Sequence, residues 1–296
     1  MNKSYNNYSI LRYPGGKNKV YNYVKHLISE TGSSTYIEPF CGGAAIAFKL
    51  LIKGDVKKII INDFDKSIYA LWYSVLNHPE ELCTLISNAQ FNMDEWYLQK
   101  DIQRNKNDSD LLSLGFSTLY LNRTNRSGII NAGVIGGKNQ TGSYLMDCRF
   151  NKDDLIEKIK LISSKRSSIK LYNKDALHFI RQNISRTSDS LTFFDPPYYI
   201  KGKALYTNFY EHIDHVELSN TIKNTLNNKN WILTYDFTPE IKEMYKEYEH
   251  FVYHLNYSLA NTGKGKEYIF LSNSISSRNI GSYLNLSMPD TISVLP

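Results

Sequence analysis

The chain is poor in the residues that staple or ligate a fold. Its three cysteines, Cys41, Cys83 and Cys148, are odd in number and widely spaced, with no C-x-x-C pair. That excludes a disulfide framework and a zinc ribbon, and the expected setting is a reducing cytoplasm. Of the histidines, only His212 and His215 have ligand-like spacing, and at a helix start they suit an exposed or capping role better, so no metal is expected. No apolar run approaches the ~20 residues of a membrane span. Residues 1–10 are polar and rich in Tyr and Asn, without the apolar stretch of an export signal. Repeats and low-complexity tracts are absent. Neither the P-loop spacing nor G-x-G-x-x-G occurs, so nothing specifically indicates a pyrophosphate.

What is present is ordinary for a globular protein. The 296 residues, 42% hydrophobic and 22% charged, can bury a full α/β core with room for an inserted lobe. A net charge of +6 is compatible with a polyanionic partner without requiring one.

The most informative stretch is Phe193-Phe194-Asp195-Pro196-Pro197-Tyr198-Tyr199. It follows an apolar run, residues 191–194, that reads as a short buried strand. Two prolines then fix φ twice and keep the chain extended. The Asp195 carboxylate and the Pro196 carbonyl form a rigid acceptor pair beside the Tyr198 ring. Two fixed acceptors next to an aromatic face suit a planar amino group on a nucleobase. A Pro-rich turn with Asp195 as a cap also reads from this stretch alone.

Upstream, Leu11-Arg12-Tyr13-Pro14-Gly15-Gly16-Lys17 is a turn signal before a helix at residues 20–29; Lys17 is either a surface lysine or a group reaching an anion. Thr35-Tyr36-Ile37-Glu38-Pro39-Phe40-Cys41-Gly42-Gly43-Ala44 reads as strand, tight glycine turn and the entry to a buried helix, the first unit of a nucleotide-binding α/β fold. Residues 56–61 are a second strand ending at Asn62-Asp63. An acid about 20 residues after the glycine turn is placed to bind ribose hydroxyls, or to cap the helix starting near Asp65; both hold if Asp65 is the cap and Asp63 the ligand. Asp175 follows another strand-like run, residues 169–172, in the same way. Residues 81–106 and 116–121 read as helical. A long loop, residues 122–147, carries Arg123, Asn125, Arg126, Lys138 and Tyr144, with Arg149 just beyond. Such a loop contacts phosphates and base edges, or is simply a solvated surface. After Tyr199 comes a polar loop with Lys201 and Lys203. A helix (212–226), a strand (231–235), a helix (239–248) and two strands (251–257 and 267–271) joined by a hairpin loop complete the pattern.

Residues 11–17, 38–43 and 195–198, in this order, resemble the Dam-like (alpha-class) DNA adenine methyltransferases. The resemblance covers most of the chain and includes Leu121-Asn122-Arg123 in the inserted lobe. It implies a Rossmann-like α/β sheet, mostly parallel with an antiparallel C-terminal hairpin. The catalytic domain would be discontinuous (1–80 and 153–275), with an inserted, mainly helical target-recognition domain (81–152) and a C-terminal tail (276–296). It implies S-adenosylmethionine as methyl donor and double-stranded DNA as substrate, with a cognate restriction endonuclease as a possible companion and no membrane partner. Tyr13, Lys17, Glu38, Pro39, Phe40, Cys41, Gly42, Gly43, Asp63, Asp175 and Asp195 would line the cofactor site. Asp195, Pro196, Pro197 and Tyr198 would hold a flipped adenine, with Arg123, Asn125, Arg126, Lys138, Tyr144, Arg149 and Lys201 on DNA. Where the family often has F-x-G-x-G, this chain has Phe40-Cys41-Gly42-Gly43-Ala44, so the amide touching the methionine part is not fixed by the motif. RNA or cytosine amino groups as targets, and a catalytically inactive DNA-binding module, are the alternatives.

Overall fold

The computed structural model describes residues 5–12, 17–200, 210–256, 264–276 and 279–287. Seven strands form one sheet in the order β3-β2-β1-β4-β5-β7-β6. They are β1 (Thr35–Glu38), β2 (Lys58–Asn62), β3 (Ile169–Tyr172), β4 (Ser190–Phe194), β5 (Asn230–Asp236), β6 (His250–Asn256) and β7 (Lys264–Leu271). The first five pair in parallel; β7 runs against both β5 and β6. β1 and β4 are buried at every residue. Continuous burial is what a strand covered on both faces requires, and it explains why these segments read as unbroken apolar runs.

Alternate side chains feed two cores, as the two-residue strand period demands. Tyr36, Ile59, Ile61 and Phe193 join one apolar cluster, whereas Ile37, Ile60 and Phe194 join the other. The first core is covered by α1 (Tyr21–Thr31), α2 (Ala45–Lys53) and α3 (Lys66–Asn77). The second is built with Phe179, Leu218 and Ile222 from the helices that precede and follow β4. Because the chain builds β1, β2 and β3 to one side and returns to place β4 on the other, the strand order reverses between β1 and β4. Ligands of such sheets bind over the carboxyl ends at this switch point.

Between α3 and β3 the chain adds α4 (Pro79–Asn88), α5 (Met93–Arg104) and α6 (Leu111–Thr124) before α7 (Lys152–Ser163) returns it to the sheet. α6 lies close against α3: a Cβ on Gly115 would sit 2.5 Å from Ser74 Oγ and 2.7 Å from the Ala70 carbonyl. Leu119, Tyr120, Met146 and Phe150 share one continuous cluster with Ile59 and Leu71 of the sheet layer.

Three local expectations change. The loop expected at residues 122–147 starts later, because α6 runs through Thr124. It is also pinned, by an antiparallel bridge between Asn125 and Val134 and by Ile135 N–H donating to the Thr124 carbonyl at 2.8 Å. The helix expected at 239–248 ends at Met244, since Tyr245 leaves helical geometry and buries its ring. Part of the expected tail, residues 279–287, packs on the outer edge of β6, where Ser287 N–H meets the Val252 carbonyl at 2.7 Å. The hairpin loop between β6 and β7 lies outside the described residues. Among the described residues no helix is long and apolar enough to cross a membrane.

Candidate active site

The turn after β1 is clamped from several sides. Gly42 takes φ of 43° and Ala44 φ of 47°, both left-handed, which brings the backbone round sharply before α2. Gly42 N–H donates to Asp63 Oδ2 at 2.9 Å, and Trp72 Nε1 donates to the Gly42 carbonyl at 2.8 Å. Asn62, fully buried, ties three strand ends together: its Nδ2 reaches the Pro39 and Lys174 carbonyls at 2.9 and 3.0 Å, and its Oδ1 accepts from Lys174 N–H. Sequence reasoning passed over Asn62, whose partners are all remote in the chain.

The acids expected on this rim are there. Asp65 caps α3 by accepting from Ser67 N–H, while Asp63 faces the turn. Burial and the neighbouring Asp65 raise Asp63 to about 7, against its amide bonds. Asp175 follows β3 and caps α8 (Ala176–Phe179) through Oδ1. The phenol of Tyr210, which sequence reasoning also missed, is pushed up by burial and by Asp175, Asp214 and Asp63 together. Its ring stands edge-on to Phe40, with centroids 6.1 Å apart. Phe64, beside Asp63, is 60% exposed. Glu38 is buried between the Tyr36 hydroxyl, 3.0 Å away, and α2. Burial raises its carboxyl to about 8, the Tyr36 bond opposing and Asp195 adding. Cys41 is buried and its thiol is raised well above the ordinary value, chiefly by burial.

Across the switch point, residues 195–198 leave β4 without entering a helix. Thr234 on β5 donates to Asp195 Oδ1 at 3.0 Å, and Lys17 Nζ lies 3.2 Å from the same oxygen. Burial raises Asp195, with Lys17 opposing. Asp236 holds the next two amides, Tyr199 N–H at 2.8 Å and Ile200 N–H at 2.9 Å. The Tyr198 hydroxyl accepts from Lys17 Nζ at 3.0 Å and donates to Glu267. Lys17 is nearly inaccessible; burial pulls its ammonium down, but Asp195, Tyr253 and Glu267 outweigh that and hold it well above the ordinary value. Pro196 is buried and Pro197 partly so. Tyr13 lies outside the described residues.

The residues expected on DNA separate into two groups. Arg123 is engaged within the fold, its Nε on the Ile10 carbonyl at 2.8 Å, and burial with Arg12 nearby lowers it to about 10. Asn125 is fully buried, accepting from Trp96 Nε1 at 2.7 Å. Arg126, Lys138, Tyr144 and Arg149 are exposed. Arg12, lowered by its partial burial and then by the charge of nearby Arg149, extends this basic surface. Lys201 lies outside the described residues. Among the described residues no group of three or more His, Cys, Asp or Glu could hold a metal ion.

The family described as D12 class N6 adenine-specific DNA methyltransferase matches residues 13–259. The chain belongs to this family. The D12 methyltransferase transfers a methyl group to the N6 amino group of adenine at specific sites in DNA, and membership implies S-adenosylmethionine as the donor. It is 27% identical over 203 residues to the type II methyltransferase M.MjaIII of Methanocaldococcus jannaschii, covering 64% of this chain and 68% of that one. It is 24% identical over 254 residues to the type II methyltransferase M1.LlaDCHI of Lactococcus lactis subsp. cremoris, covering 80% and 84%. Among solved structures, the methyltransferase domain of bacterial-CtHen1-CN aligns with a TM-score of 0.39 at 10% identity, covering 86% of this chain and 98% of that one.

Proposed function

We propose that Asp195 and the Pro196 carbonyl hold the N6 amino group of an adenine extruded from double-stranded DNA, with Tyr198 beside the base. The observation that carries this reading is the state of the Asp195 carboxylate. Thr234 and Lys17 both contact Oδ1, and Oδ2 has no partner among the described residues. One oxygen is anchored, leaving the other for a substrate N–H. The order of the glycine-lysine segment, the Gly42-Gly43 turn and Asp195-Pro-Pro-Tyr198 supports the alpha-class, Dam-like arrangement.

The rim around the glycine turn fits a cofactor with ribose, purine and amino-acid parts. Asp63 would take ribose hydroxyls, exposed Phe64 and half-buried Phe40 would cover a purine, and Asp175 with Tyr210 would close the far side. Glu38 and the Gly42-Gly43 backbone would face the amino-acid part, with Pro39, Cys41 and Lys17 shaping the pocket. When bound, S-adenosylmethionine supplies an already activated methyl group. The protein's task is therefore position. Asp195 and Pro196 fix the amino nitrogen so that its lone pair points at the methyl carbon; such orientation is worth up to ~7–11 kcal/mol. Fixed acceptors also stabilise the positive charge growing on nitrogen. Asp195 need not be a strong base, because the methylated ammonium can lose its proton to water.

Residues 81–152 would serve as the target-recognition region, with Arg126, Lys138, Tyr144 and Arg149 on phosphates and base edges. The type II names of the relatives support a role beside a restriction endonuclease. The test is tritium transfer from labelled S-adenosylmethionine to genomic DNA lacking adenine methylation. Methyladenine confined to one short motif is expected, and Asp195→Ala should fold normally yet lose transfer by on the order of 10²–10³-fold. Near-full activity in that variant would refute the assignment.

A further inference from the structure

Glu267 lies beyond the segment matched by the family, and it sits at the centre of the site's buried charge. Its side chain is fully buried. Lys17 Nζ donates to Oε2 at 2.8 Å and the Tyr253 hydroxyl to the same oxygen at 2.5 Å, while the Tyr198 hydroxyl donates to Oε1. The three donors come from the turn before α1, from β6 and from the chain leaving β4. They converge because β7 is reversed: its register sets Glu267 opposite Asp236 of β5 and opposite Tyr253 of β6. A slip of one residue would turn Glu267 to the other face of the sheet.

Two carboxylates, Asp195 and Glu267, face one ammonium. The Lys17 contact to Glu267 is the shorter, 2.8 Å against 3.2 Å. A lysine left with Asp195 alone would close on that carboxylate and compete with a substrate amino group for it. The same Glu267 fixes the Tyr198 hydroxyl and with it the plane of the ring. A buried ion pair is often replaceable by apolar packing without loss of stability, so its presence here calls for a different explanation.

We propose that Glu267 is a positioning residue for methyl transfer. It draws Lys17 away from Asp195 and holds Tyr198, so that Asp195 keeps an acceptor oxygen for the adenine amino group. This rests on the reading of Asp195 and Tyr198 given above.

The experiment is single-turnover methylation of DNA containing the target motif by the full-length wild type, Glu267→Gln, Lys17→Met and the double variant, with KM for DNA and for S-adenosylmethionine measured alongside. Glu267→Gln should lose on the order of 10²-fold in kcat, the scale of a misplacement of about 1 Å. Its KM values should stay within about threefold and its thermal transition should remain cooperative. Because Glu267 acts in part through Lys17, it should cost at least about tenfold less in the Lys17→Met background than in the wild type, the remaining loss belonging to its contact with Tyr198, a coupling that a double-mutant cycle reads directly. An unchanged kcat in Glu267→Gln overturns the proposal, as do losses that multiply in the double variant. A Glu267→Gln protein that does not fold, while the double variant folds with a kcat within about tenfold of that of Lys17→Met, supports the coupling; if both fail to fold, the role is structural and the proposal falls. A wild type that methylates no DNA, while binding the cofactor, would instead overturn the underlying reading of the site.

Discussion

Replacing Glu38 by Gln should make the protein's stability markedly less dependent on pH. Glu38 sits at the end of β1, 6% exposed, with its carboxyl raised from an ordinary 4.5 to about 8, first by burial and then by the charge of Asp195. For an acid shifted upward, the folded state keeps a proton that the unfolded chain has released. Stability is therefore full below 4.5 and declines as pH rises towards 8. Each factor of ten in proton affinity is worth about 1.4 kcal/mol, so this one group should cost the wild type about 3–4 kcal/mol between pH 5 and pH 8. Gln keeps an oxygen for the Tyr36 hydroxyl and has no charge to bury. Urea unfolding followed by circular dichroism at pH 5, 6, 7 and 8 measures the difference. The wild-type and Glu38→Gln stabilities should diverge steadily, with the variant favoured at pH 8; curves that stay parallel would refute the reasoning.

Other expectations test separate parts of the fold and the site. Asn62→Ala removes the tie between the ends of β1, β2 and β3 and leaves buried carbonyls and an amide unpaired, so it should cost about 1–3 kcal/mol in urea unfolding and weaken cofactor binding measured by calorimetry. Gly115→Ala drives a methyl group into the Ser74 hydroxyl and the Ala70 carbonyl, and should destabilise the protein by about 1–3 kcal/mol, seen as a lower thermal midpoint. Single replacement of exposed Arg126, Lys138 or Arg149 by Ala should leave stability unchanged. For each that contacts phosphate, the slope of log affinity against log salt should fall by about 1 in a DNA-binding titration.

The sheet was legible where local pattern and tertiary position agree. β3 begins and ends at the residues its apolar run marks, and Asp65 caps α3 as its place before the helix implied. The roles of Arg123 and Asn125 were not legible, because a basic stretch gives no sign that a helix will continue through it and bury its polar groups. Asn122 shows the cause: its side chain accepts from Arg12 N–H and donates to the Arg12 and Gly128 carbonyls, contacts that exist only once the N-terminal segment lies alongside α6. Glu267 was hidden for a similar reason, its lysine partner lying 250 residues away. A signal was nevertheless present. In Glu267-Tyr268-Ile269-Phe270-Leu271 the acid alternates with Ile269 and Leu271, which enter the apolar cluster below α1 to α3. An acid in phase with a buried face needs a buried partner.

The reversed strand has a consequence for the order in which the protein is made. Of the described strands β7 is the last to leave the ribosome, yet it occupies an interior position between β5 and β6. A nascent chain that has reached residue 256 holds Lys17, Asp195 and Tyr198 already, but β5 has no partner on its outer side and β6 has no place in the sheet, and the carboxylate that gathers the lysine and the tyrosine does not yet exist. β6 can join the sheet only through β7, so the two strands add to the free edge of β5 together. Methylating competence thus waits for residues 264–271, and a chain stopped at 263 should remain an open sheet that exposes the flank of β5 to protease and leaves DNA unmodified.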